Sequence, residues 1–187
     1  MDHKGTVVLE TERLILRRFV PEDAETMYHN WASDPEVTRF LTWPTHSDVE
    51  ITKKVLSEWI PLYERKDYYH WTITLREDIS EPIGTIHGQM DNNIDSVMVG
   101  YCLSQSKWHK GIMSEALSEV MRFFFEDVGV NRVCSYHDPR NPHSGMVMTH
   151  CGMKFDGTLR SSDRNNMGIC DASWYSMLRS EYKARTK

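Results

Sequence analysis

The chain has 187 residues, 40% of them hydrophobic and 26% charged, with a formal net charge of -5, which is long enough for one sizeable core and globular in composition. The acidic balance argues against a surface that coats nucleic acid and mildly favours a cationic partner such as an amine. No apolar run approaches membrane-spanning length, and Met1-Asp-His-Lys-Gly-Thr6 holds no apolar signal core, so a single cytoplasmic domain over residues 1–187 is expected.

Leu14 to Phe19 reads as a first strand, and Pro21 opens a helix reaching about Ser33. Asp34 to Ser47, with two prolines and the aromatic Phe40 and Trp43, reads as a loop. A second helix runs from Asp48 to about Arg65, with Leu56, Trp59, Ile60 and Tyr63 on its inner side. Strands follow at Tyr68 to Leu75, Pro82 to Met90 and Val97 to Gln105, separated by polar turns. The last of these is almost continuously apolar, as a strand covered on both faces should be, and its Gly100 suggests a bulge. Met113, Ala116, Leu117, Val120, Met121 and Phe124 then recur at helical spacing, so a central helix runs from Gly111 to Val128 and stops at Gly129. A strand at Arg132 to His137, a short helix at Pro142 to His150, and strands at Lys154 to Ser161 and Ala172 to Leu178 complete a mixed α/β unit of about seven strands and about four helices.

The turn between the apolar strand and the central helix, Ser104-Gln-Ser-Lys-Trp-His-Lys-Gly111, is basic and contains glycine. The first N–H groups of a helix have no intrahelical partner and carry the positive end of its dipole, so His109, Lys110 and Gly111 form a place to cradle a pyrophosphate. Neither Gly-x-x-x-x-Gly-Lys-Ser/Thr nor Gly-x-Gly-x-x-Gly occurs in the chain, which removes the common nucleotide loops. Cys102, Cys134, Cys151 and Cys170 stand far apart among apolar neighbours and read as reduced core thiols, and the histidines show no metal-site spacing, so no metal is expected.

Trp108-His-Lys-Gly-Ile-Met113 resembles the acyl-CoA motif Gln/Arg-x-x-Gly-x-Gly/Ala of the GNAT superfamily of N-acetyltransferases. The wider run Trp-x-Lys-Gly-x-x-x-Glu-Ala-Leu resembles its RimJ/RimL-type branch. Thr11-Glu-Arg-Leu-Ile-Leu-Arg-Arg-Phe19, Glu81-Pro-Ile-Gly-Thr-Ile86, Asn141-Pro-His-Ser144 and Asp171-Ala-Ser-Trp-Tyr-Ser-Met-Leu178 resemble the same branch in the same order, and such agreement between separate segments makes chance similarity improbable. The motif departs from the general form at Trp108 and Met113, which matters little where backbone amides hold the phosphates.

The resemblance implies one mostly antiparallel sheet splayed in the middle, acetyl-CoA as co-substrate, and direct attack by a primary amine in a ternary complex. Donor binding then falls to Tyr101, Cys102 and Leu103, to Trp108, His109, Lys110, Gly111, Ile112, Met113 and Ser114, and to Asn141 and Ser144. A protein α-amino group is the default acceptor; a polyamine, amino sugar or amino acid, a non-catalytic CoA sensor, and a protein-interaction module stay open, as does a homodimer. An ammonium must lose a proton before it can attack, and the departing thiolate benefits from a donor. His87, interrupting an apolar strand, is the base expected here, since an unperturbed imidazole titrates near 6.5. Ser144 is expected to serve the thiolate, because the region where relatives place a tyrosine reads Met146-Val-Met-Thr149. Tyr101 and Glu50 are weaker alternatives for the base.

Overall fold

A computed structural model describes residues 1–185. Its eight strands are β1 (Leu9–Glu10), β2 (Leu14–Arg17), β3 (Tyr69–Leu75), β4 (Asp78–Asp91), β5 (Ser96–Leu103), β6 (Arg132–His137), β7 (Lys154–Asn165) and β8 (Gly168–Leu178), in one sheet of order β1-β2-β3-β4-β5-β6-β8-β7. Every neighbouring pair is antiparallel except β5 with β6. Six helices are present among the described residues: α1 (Asp23–Met27), α2 (Pro35–Thr38), α3 (Val49–Trp59), α4 (Ile112–Phe123), α5 (Pro142–His150) and α6 (Arg179–Arg185). The expected counts of seven and four are thus low. The elements absent from the sequence reading are the shortest or the terminal ones: two-residue β1, four-residue α2 within the supposed loop, and α6.

The sheet separates two apolar clusters. On one face the inner stripe of α4, from Ile112 and Met113 through Ala116, Leu117, Val120 and Met121 to Phe123, packs on Trp71, Ile86, Val97 and Val99. Burying each of the larger side chains is worth roughly 1.5–3 kcal/mol. On the other face α1, the π-helical turn that follows it (Tyr28–Ala32) and α3 bring Met27, Trp31 and Leu56 against Phe19 and Cys102. Gly111 precedes α4 in the left-handed region at φ 73, and Gly129 ends the following π-helical turn at φ 84, as the sequence reading placed both.

Glu115, in the first turn of α4, fastens that helix to the opening strand. Its carboxylate accepts from the Thr11 hydroxyl at 2.5 Å, from the Arg13 backbone N–H at 3.0 Å and from Arg13 Nε at 2.6 Å, while Arg13 Nη1 donates to the Lys110 carbonyl at 3.0 Å. Two segments singled out in the sequence, Thr11 to Arg13 and Lys110 to Glu115, are therefore one buckle around the basic turn.

Candidate active site

The sheet opens beside β5. Pairing of β5 with β6 covers only Ser96↔Arg132, Val97↔Val133 and Met98↔Cys134. Beyond that the Ser135 hydroxyl donates to the Val99 carbonyl at 2.7 Å, and Trp108 Nε1 to the Leu103 carbonyl at 2.8 Å. Backbone groups alternate sides along a strand, so these carbonyls place the N–H groups of Tyr101 and Leu103 in the gap that β6 has left. On its other side β5 stays in unbroken register with β4 from Gly84↔Leu103 to Asp91↔Ser96. The bulge expected at Gly100 is therefore absent, and the splay comes from β6 diverging. Gly100 is needed for another reason: a Cβ there would lie 2.5 Å from His87 Cε1, so the glycine makes room for the imidazole opposite.

Two cavities of about 730 Å³ each meet at this opening. The first lies on the α4 and α5 side. Its lining includes every residue expected to bind the donor: Tyr101, Cys102, Leu103, Trp108, His109, Lys110, Gly111, Ile112, Met113, Ser114, Asn141 and Ser144. The side chains of Ile112 and Met113 turn into the core, so those two offer backbone N–H groups only. His109 (φ 58) and Gly111 (φ 73) both adopt the left-handed region and curl the turn under the start of α4, whose N-cap supplies no side-chain acceptor. Arg39, Lys107, Lys110, Arg140 and three histidines surround this end, against Glu36 as the acidic group of the lining. Such a concave, cationic helix start suits a polyphosphate. Asn141 stands at the N-cap of α5, yet its side chain makes no cap hydrogen bond, which leaves its amide to face the cavity.

The second cavity lies on the α1 and α3 side and runs along β4 and β5 past Thr85, His87, Gln89, Met98 and Gly100. Trp43 lines it, as do Trp59 and Tyr68. His87 is open to solvent within this cleft although protein surrounds it, and that desolvation lowers its pKa below the ordinary imidazole value. The ring is therefore neutral near pH 7. Behind it, at 5.4 Å between centroids, sits His70, buried and also pushed down, well below the usual value, by desolvation and then by the His87 charge.

The hydrogen bonds around His70 fix its role. Thr85 Oγ1 donates to the Trp71 carbonyl at 3.0 Å, so it accepts from His70 Nε2 at 2.9 Å, and Nδ1 accepts from the Tyr68 hydroxyl at 3.0 Å. The chain ends on a carbonyl and has no exit for a proton. His70 is a buttress, and His87 is the imidazole that can act on a ligand.

Phe40, Leu41, Tyr101, Cys102, Asn141 and Ser144 line both cavities and so mark their junction. Tyr101 packs with the α4 cluster and Cys102 with the α1 and α3 cluster, so His87 and Tyr101 approach the opening from opposite faces. The Tyr101 hydroxyl bonds the Ser144 carbonyl at 3.0 Å and lies 3.2 Å from Ser144 Oγ. Burial raises the Tyr101 phenol and pushes the Cys102 thiol up to about 12, so neither is an anion at neutral pH. Cys102 is thereby unsuited to be a nucleophile.

A model of the acetyltransferase (GNAT) domain matches residues 13–154. The chain belongs to the GNAT family. An uncharacterized N-acetyltransferase p20 of Bacillus licheniformis is 29% identical over 175 residues, 93% of this chain and 97% of its own length. Among solved structures, a ribosomal-protein alanine acetyltransferase from Vibrio fischeri superposes with a TM-score of 0.81 at 20% identity, covering 94% of this chain and 98% of that one. A RimL ribosomal α-N-protein acetyltransferase in complex with coenzyme A gives 0.81 at 19% identity, over 92% and 98% of the two chains. This GNAT chain is thus an acetyltransferase by family and shares its fold with these structures.

Of the expected catalytic residues, Tyr101 and Ser144 stand at the junction, and His87 lines the second cavity. Glu50 is elsewhere: it lies exposed in the first turn of α3, 2.7 Å from Lys53 Nζ, and lines neither cavity. Among the described residues no group of three or more histidine, cysteine or acidic side chains is placed to hold a metal, and no helix is long and apolar enough to cross a membrane. Sequence reasoning missed Leu41 as a junction residue and Asp138 in the wall of the second cavity. Asp138 is buried, and Arg140, with Asn165 behind it, holds its carboxyl well below the usual carboxylate range.

Proposed function

We propose that this acetyltransferase carries an acetyl group from acetyl-CoA to a primary amine by direct attack at the gap beside β5. The observation that carries the reading is the meeting of a cationic, phosphate-shaped cavity with a second cavity containing a neutral imidazole, at a strand whose N–H groups face the gap. The pyrophosphate lies over His109 to Ser114 at the start of α4. Asn141 takes the pantetheine arm, and the N–H groups of Tyr101 and Leu103 receive the arm and the acyl oxygen as it becomes an oxyanion. The amine enters past His87, which removes its proton directly or through one water. Nitrogen attacks the carbonyl carbon, the C–S bond breaks, and the thiolate takes a proton at the Tyr101–Ser144 pair, which regains it as the nitrogen gives up its second proton and the neutral amide forms.

A protein α-amino group is the acceptor favoured here. The second cavity extends along β4 from Thr85 to Gln89 and on to Asn92, a length of strand that an extended peptide matches better than a compact amine does. The likeness to ribosomal-protein acetyltransferases supports the same choice, in keeping with the RimJ/RimL-type motif. The test is free-thiol release from acetyl-CoA with a panel of peptides, polyamines, amino sugars and amino acids. Turnover with peptides bearing a free N-terminus, and little with the rest, is expected; acetyl-CoA binding without turnover on any amine would make the protein a sensor instead.

A further inference from the structure

The tip of the β7–β8 hairpin reaches back to the segment that carries Phe40 and Leu41. There Asn166 Nδ2 donates to the Thr38 carbonyl at 2.8 Å and to the Trp43 carbonyl at 2.9 Å, and the Asn166 backbone N–H donates to the Leu41 carbonyl at 3.2 Å. These carbonyls bracket Phe40 and Leu41, which line both cavities together with Asn141 and Ser144. The segment otherwise makes mostly local bonds, such as Leu41 N–H to the Thr38 carbonyl and the contact between the Thr38 and Thr45 hydroxyls.

The hairpin tip is itself anchored. Asn165 Oδ1 accepts from the Met167 backbone N–H at 2.8 Å, and Asn165 Nδ2 donates to Asp138 Oδ2 at 2.8 Å. Asp138 in turn is gripped by Arg140 through Nε at 3.0 Å and Nη2 at 2.6 Å. Arg140 immediately precedes Asn141 at the start of α5. One chain of polar contacts therefore joins the donor side of the gap, around the wall of the second cavity, to the segment bridging the junction.

We propose that Asn166 is a positioning residue that latches Phe40 and Leu41 across the junction, keeping bulk water from the acyl group while the amine enters along β4. An asparagine suits the task because two carbonyls must be met by one short side chain with two N–H donors; an aspartate would turn only acceptors toward them. The kinetic consequence rests on the acetyltransferase reading, whereas the latch itself is a property of the fold.

The test compares Asn166→Ala and Asn166→Asp with Met167→Ala, an exposed neighbour on the same tip. Amide hydrogen exchange over residues 38–43 and amine-free thiol release from acetyl-CoA are measured on each, with acetyl-CoA affinity by calorimetry. Both Asn166 variants are expected to speed exchange and amine-free release by roughly tenfold, the scale of one or two lost hydrogen bonds. Acetyl-CoA affinity should stay within about twofold, and Met167→Ala should match the parent. Unchanged exchange in both Asn166 variants, or equal changes in Met167→Ala, overturns the latch. If the parent binds no acetyl-CoA, the functional reading falls, and exchange alone still decides whether the latch exists.

Discussion

Replacing Gly100 with alanine should damage turnover far more than stability, by displacing His87. The new Cβ would meet His87 Cε1 at 2.5 Å, Nε2 at 2.8 Å and Nδ1 at 3.3 Å. Ordinary carbon contacts are about 3.5–4.0 Å, so the ring must retreat by roughly 1 Å. It can do so cheaply, since the atoms in the way are the far end of a side chain in an open cleft and the β4–β5 ladder is regular through His87↔Gly100. The cost in folding free energy should stay near or below about 1 kcal/mol, whereas a 1 Å displacement of a reacting group costs on the order of 10²-fold in rate. The assay is thiol release with a peptide acceptor, beside thermal unfolding and acetyl-CoA calorimetry. A double-mutant cycle with His87→Gln completes it: the two losses should overlap rather than multiply, because both remove the same base. Parental turnover in Gly100→Ala, or losses that multiply, would refute the argument.

Gly111→Asp should cost at least about tenfold in acetyl-CoA affinity by calorimetry, because a carboxylate enters the helix start that is held to receive phosphate. Gly111→Asn, which shares its shape and tolerates φ 73, should lose much less; equal losses would mean backbone strain and not charge. Arg13→Ala should weaken acetyl-CoA binding through the Lys110 carbonyl it releases, and unchanged affinity would mean that the buckle serves stability alone. Acid should destabilise the fold through His70, since the unfolded imidazole gains a proton below about pH 6.5 and the buried one, with its lowered pKa, does not. The loss should grow as pH falls below the unfolded value, and urea unfolding of His70→Asn should show a flatter pH dependence. An equal slope in the variant would show that His70 is not held neutral.

The legible parts of the chain were those where local chemistry and global packing agree. Gly111 and Gly129 punctuate a strongly periodic helix, and both adopt positive φ; Arg132–His137 and Pro142–His150 have the expected bounds. The hairpin ran longer than expected, to Asn165 and from Gly168, because its tip is polar and carries no alternation to read. Gly100 shows a sharper limit. A glycine in an apolar strand signals either a bulge or a close approach, and only the register His87↔Gly100 decides for the second. The first turn of α3 likewise aims Glu50 at Lys53 and not at the cleft. Phe40, Leu41 and Asn166 are brought together across more than a hundred residues of chain by hydrogen bonds to carbonyls, and backbone acceptors leave no mark in a sequence.

The most direct measurement is the pH dependence of kcat/KM for a peptide acceptor, comparing the parent with His87→Gln. The parent should lose rate as pH falls through the pKa of His87, which desolvation lowers below the ordinary imidazole value. His87→Gln should be slower by roughly 10²-fold and lack that limb, with acetyl-CoA affinity unchanged. A variant with the parental rate and the parental profile would contradict the account, because the amine would then lose its proton elsewhere than at the gap beside β5.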